Sequence, residues 1–196
     1  PAPSATLTFT RTAGSLELLA TLPVVEDGRR WTVTARGRYI EATRKLAFDL
    51  DIDGFRPTRV ARLAKQLVPF GAIDLPVSGK AQANFTLAGN AARLDEVAFD
   101  VRGAAGNLHL PAPVDQSYPV RALALKGSAS ANLDAIKIDE LRVELDRAND
   151  IRPVIAVSAE GVNLNTAPHV TVRASMPDLS LAGLKDYWPQ AVAPNT

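Results

Sequence analysis

Lys80-Ala-Gln-Ala-Asn-Phe-Thr-Leu87 alternates without a slip: in an extended chain Ala81, Ala83, Phe85 and Leu87 point to one side, and Lys80, Gln82, Asn84 and Thr86 to the other. Arg44 to Asp53 repeats the pattern, with Leu46, Phe48, Leu50 and Ile52 opposed to Lys45, Asp49, Asp51 and Asp53. Such strands have a wet face and a dry face. The functional question is what the dry face touches: a second sheet of the same protein, or something that is not protein.

Outward from these two stretches the same period recurs. Thr6 to Arg11, Ser15 to Val25 and Arg30 to Arg38 read as a meander, turned at Ala13-Gly14 and at Glu26-Asp27-Gly28, whose Asp-Gly is a hairpin signal. Pro76 to Ala88 turns at Gly89-Asn90 and returns through Arg93 to Arg102. Asn107 to Leu110, Val120 to Leu133, Ala135 to Leu145, Val154 to Leu164 and Val170 to Met176 read as further strands. Arg59 to Val68 switches to helical spacing, with Val60, Leu63, Ala64 and Leu67 on one side and Pro69 as terminator. Leu179 to Trp188 reads as a second short helix. The expectation is a mainly β chain, with about ten long antiparallel strands in a curved, groove-forming sheet or in a closed β-sandwich, and one or two short helices. It reads as one β-rich segment over 1–196, with a helix over 58–68 inserted between strands and a sub-boundary near 111–119, where Pro111-Ala-Pro113 stiffens the chain. Pro1-Ala-Pro-Ser4 and Ala193-Pro-Asn-Thr196 suggest a piece of something longer.

Composition narrows the function. Twenty-two Lys and Arg against 21 Asp and Glu give a net charge of +1, and the signs are interleaved, so no basic stripe is offered to a nucleic acid. Cysteine is absent, which removes disulfides, thiolate metal sites and a cysteine nucleophile. His109 and His169 have no ligand-spaced partners, so no metal site is expected. Asp49, Asp51 and Asp53 are spread by almost 7 Å per alternate residue and lack a calcium loop, so they read as a solvated face. Asp95-Glu96 and Asp139-Glu140 read as turn or outer-face residues. No nucleophile elbow, phosphate loop or dinucleotide fingerprint occurs. Neither catalysis nor a cofactor is expected.

Two stretches resemble a known family. Gly54-Phe-Arg-Pro-Thr-Arg-Val-Ala-Arg-Leu-Ala64 followed by Ile73-Asp-Leu-Pro-Val-Ser-Gly79 resembles a helix-then-strand cassette of bacterial AsmA-like envelope proteins, in particular the YhdP-type branch. Leu184-Lys-Asp-Tyr-Trp-Pro-Gln-Ala-Val-Ala-Pro194 is similar to a Tyr-Trp-Pro segment of the same branch. The resemblance implies a large parent protein anchored in the bacterial inner membrane outside this stretch, with a periplasmic body of long bent sheets. It also implies a link to phospholipid movement toward the outer membrane and likeness to eukaryotic bridge-like lipid transfer proteins.

On this reading Phe48, Leu50, Ile52, Phe85, Leu87, Val97, Phe99, Ile136, Ile138, Leu141 and Val143 line a continuous apolar concave surface that takes phospholipid acyl chains, and Val60, Leu63 and Leu67 belong to a lid helix. The competing expectation places the same residues in the core of a β-sandwich that serves as a scaffold or protein-interaction module. Ala81, Ala83, Ala129 and Ala131 either widen a groove or let two sheets approach. Open strand edges would favour pairing between copies.

Overall fold

A computed structural model describes residues 5–26, 29–59, 71–89, 91–110, 115–130, 132–146 and 153–176. Twelve strands run in chain order: β1 (Thr6–Thr12), β2 (Ser15–Glu26), β3 (Arg29–Ile40), β4 (Lys45–Phe55), β5 (Ile73–Asp74), β6 (Val77–Ala88), β7 (Ala91–Gly103), β8 (Gly106–Leu110), β9 (Gln116–Ser130), β10 (Ala135–Leu145), β11 (Val154–Val162) and β12 (His169–Ser175). They form one antiparallel sheet in the order β1-β2-β3-β4-β6-β7-β9-β10-β11-β12. β8 carries on from β7 along the first residues of β9, and β5 pairs with β8. The sheet is not closed.

The expected strands are therefore present, several of them longer than read; β9 begins at Gln116, before the expected Val120. The two-residue β5 is new. Among the described residues the helical content is confined to 3-10 turns, at Pro57–Arg59 and at 71–72. The rest of the helix expected over 58–68, with Val60, Leu63 and Leu67, lies outside the described residues, as do Leu179 to Trp188 and residues 111–114 of the expected sub-boundary. Gln116 to Pro119 are strand residues of β9.

A closed sandwich is not what forms. The described strands make a single layer, and Phe48, Leu50, Phe85 and Phe99, at its middle, are only half-buried. A second sheet packed about 10 Å away would cover them. The fully buried side chains gather elsewhere, at one end of the strands. Leu75 (0% exposed), Val77, Val120 (1%), Val143 and Leu145 form the core, flanked by Ile73, Val101, Leu108, Tyr118 and Leu123.

That end is marked by a line of irregularities. β4 gains an extra residue between Ile52 and Phe55, where Gly54 takes φ +70°, a conformation that costs a glycine little. Ser78 Oγ accepts the Gly54 N–H at 2.9 Å and donates to Asp53 Oδ1 at 3.0 Å, so the displaced backbone is satisfied. In the next strands the line passes through Leu75-Pro76, through Ala104-Ala105 between β7 and β8, and through Arg121, opposite the shift between Glu144 and Leu145. Bulges bend strands and raise their twist; here they fall side by side, and Leu75 fills the space that Cβ atoms at Gly103 and Gly106 would take. The Ala104 N–H donates to the Pro76 carbonyl at 2.9 Å, which carries the ladder across the break.

Candidate functional site: the uncovered apolar face

The cross-strand register assigns each side chain to a face. Phe9, Leu18, Gly37, Phe48, Ala83, Val97, Ala129, Ile136, Gly161 and Val170 are successive partners from β1 to β12. The next row is Leu7, Ala20, Ala35, Leu50, Ala81, Phe99, Gly127, Ile138, Ala159 and Val172, and a third runs Leu22, Val33, Ile52, Gly79, Val101, Leu125, Leu141, Val157 and Ala174. Every position in the three rows is apolar or glycine. Ten strands about 4.8 Å apart and about 35 Å long give a face on the order of 1,500 Å², against the roughly 300–600 Å² of the largest apolar patch on an ordinary monomer.

The structure brings all eleven sequence-derived candidates to this face. Phe48, Leu50 and Ile52 lie on β4, Phe85 and Leu87 on β6, Val97 and Phe99 on β7, and Ile136, Ile138, Leu141 and Val143 on β10. Val143 is buried in the core, and the others are half-buried. Ile138 and Leu141 are three apart, and strict alternation would put them on opposite faces. An extra residue at Asp139 restores the parity, so that Glu140 pairs with Lys126 on the wet side and Leu141 with Leu125 on the dry side. Asp95 does the same between Leu94 and Val97. Of the two acidic pairs read as turn or outer-face residues, Asp95 and Asp139 are thus bulges inside strands, while Glu96 and Glu140 lie on the exposed wet face as read.

Sequence reasoning left out the dry-face residues of β1, β2, β3, β11 and β12, and those of β9 apart from the small Ala129, among them Phe9, Leu18, Leu22, Val33, Leu125, Val157 and Val172. Their alternation was readable, but Leu19 on the wet side of β2 blurs it. The small residues have a specific partner. A Cβ on Gly37 would come within 3.0 Å of the Phe48 ring, and one on Gly127 within 2.9 Å of the Phe99 ring. Each ring therefore leans over the glycine of the adjacent strand, an aromatic-glycine pairing that fills the gap. Phe48 also meets Phe85 edge-to-face at 6.2 Å, and Trp31 meets Phe55 at 5.3 Å. Ala81 and Ala83 lie between large neighbours, Leu50 and Phe99, Phe48 and Val97, and face no second sheet. Ala131 is outside the described residues.

The wet face is a ladder of alternating charge: Asp51, Lys80, Asp100, Lys126 and Glu140 are successive cross-strand neighbours. Asp49 accepts from Gln82 at 2.8 Å, Asp51 is 3.9 Å from Lys80, and Asp53 accepts from Ser78, so the three carboxylates each turn to a different β6 partner. The Thr86 hydroxyl beside Asp95, with Arg93, holds that carboxyl below its ordinary range, and Asp139 beside Lys137 raises the ammonium group. His109 lies 3.5 Å from Asp115, and His169 starts the exposed edge strand β12. Among the described residues no group of three or more His, Cys, Asp or Glu is placed to hold a metal ion, and no helix is long and apolar enough to cross a membrane.

Compared with protein-family models, with curated proteins and with solved structures, the chain matches none.

Proposed function

We propose that this sheet binds phospholipid acyl chains on its dry face, as the periplasmic segment of a lipid transfer protein that works between the inner and outer membranes of the bacterial envelope. One observation carries the reading: three unbroken apolar rows cross nine or ten strands while the aromatic residues at their centre stay only half-buried. Apolar surface on this scale needs an occupant, and hydrocarbon fits it without any polar recognition group. Burying a CH₂ is worth about 0.8 kcal/mol, so a tail of roughly 15 methylenes gains on the order of 12 kcal/mol when fully sheltered and about half that on an open face. Binding of that strength holds a lipid and still lets it slide. The parent chain supplies the membrane anchor on this reading, and the segment itself is non-catalytic and needs no cofactor. Its self-neutralising wet face offers nothing to nucleic acid.

Native mass spectrometry of the gently purified protein, with extraction and identification of bound lipid, tests the proposal. Co-purifying phospholipid is expected, together with its loss in Phe85→Glu and Phe99→Glu variants that keep their β-sheet circular dichroism. A lipid-free protein that also fails to take up fluorescent phospholipid would overturn it and favour a scaffold or protein-interaction module.

A further inference from the structure

The dry face has two unlike ends. At the bulge line it is filled: Leu75 takes the space of a Cβ on Gly103, on the dry side of β7, and Val77, Val120, Val143 and Leu145 around it are at most 8% exposed. Nothing is left there for a ligand to cover. Toward the hairpin turns, one row beyond Phe9 and Phe48, the cross-strand partners are Arg11, Leu16, Tyr39, Leu46, Phe85 and Leu94. Here Arg11 and Tyr39 bring a guanidinium and a hydroxyl onto a face that the three preceding rows keep apolar. Arg11 is 77% exposed and reaches Glu41 of the next turn at 3.2 Å.

We infer that phospholipid lies along the strands with one polarity, the methyl ends of its tails against the Leu75 end and its headgroup at the hairpin turns beside Arg11 and Tyr39. The inference rests on the lipid reading of the dry face and adds its direction. A filled end, a bare apolar middle and a polar rim make the profile of an amphiphile with a single polar end. Turned the other way, the headgroup would meet the buried Leu75 cluster, where a phosphate costs far more than it gains without a partner. Laid across the strands, the lipid would set its headgroup over an apolar row and forfeit the burial that holds the tail. The length fits as well: from Gly79, beside the filled end, to Phe85 strand β6 rises about 20 Å, room for the roughly 15 Å of hydrocarbon in one bilayer leaflet.

The chain has two tryptophans, and one of them marks the filled end. Trp31 lies two residues from Val33 of the third row, edge-to-face with Phe55 at 5.3 Å, and Phe55 pairs with Val77. The experiment is fluorescence quenching of Trp31 in a Trp188→Phe protein, using phosphatidylcholine that carries a nitroxide either near the methyl end of one acyl chain or on the headgroup. The tail label is expected to remove most of the Trp31 emission and the headgroup label little of it. In a Trp31→Phe, Trp188→Phe, Tyr39→Trp protein the order should reverse. Bound lipid is counted in parallel by native mass spectrometry. Lipid retained without this reversal, whether the two labels quench alike or in the opposite order, overturns the direction and leaves the lipid reading standing. No quenching by either label in a protein that retains no lipid overturns both. Should Tyr39→Trp lose its β-sheet circular dichroism, Leu46→Trp on the adjacent strand takes its place with the same expected order.

Discussion

The line of bulges near Leu75 and the two edge strands are built from the same kinds of residue, yet they differ in almost every respect. At the first, Leu75 and Val120 are removed from solvent completely or nearly so, packed over glycines and among residues from seven strands. At the second, Phe9 and Val170 keep most of their surface in water. Apolar character is therefore constant across the sheet while burial is not. Stability is concentrated where bulges let side chains converge, and the remainder of the dry face is free for other uses.

The sharpest way to break this contrast is Leu75→Ala. Removing a fully buried leucine that fills the space above Gly103 and Gly106 is expected to cost about 2–5 kcal/mol, read as a lower urea midpoint at unchanged slope. Gly37→Val comes next: its side chain must displace the Phe48 ring from the neighbouring strand, for a loss of about 1–3 kcal/mol, and the Phe48 ring resonances should shift. Asn132→Ala tests the stitching of the hairpin ends. Its Oδ1 accepts the Leu94 N–H at 2.9 Å and its own N–H donates to the Leu94 carbonyl at 3.1 Å, so about 1 kcal/mol should be lost, with faster hydrogen exchange at Leu94. Phe9→Ala should change the stability of the monomer by no more than about 0.5 kcal/mol; a cost equal to that of Leu75→Ala would erase the contrast.

The smallest effect is electrostatic. Because Asp95 is held below its ordinary range by Thr86 and Arg93, its contribution is fully present above the unfolded carboxylate value, about 3.9, and disappears as pH falls through the lower folded value. Asp95→Asn should flatten the acid side of the stability profile in urea melts run from pH 6 downward, leaving the neutral side close to that of Asp95→Ala.

Much of this was legible in the chain. Lys80 to Leu87 and Arg44 to Asp53 announce their faces unaided, and Ala135 to Leu145 begins and ends where the alternation does. The bulges were not legible, because an extra residue is defined only against a partner strand: Asp139 looks like any other strand residue until Ile138 is set opposite Gly127 and Glu140 opposite Lys126. β5 escaped for the same reason, since two residues carry no period and Ile73 becomes a strand residue only by pairing with Leu108. The choice between open sheet and sandwich was out of reach as well. A dry face at Phe48 and Phe99 reads identically whether protein or solvent lies beyond it.

The strand order has one more consequence. Apart from the small β5 and β8 excursions, each strand pairs with the next one along the chain, so each new pairing closes only a short loop and adds little entropic cost. For an all-β chain that means low contact order and a sheet able to assemble hairpin by hairpin, in the order in which it leaves a ribosome or a translocation channel, without waiting for its far end.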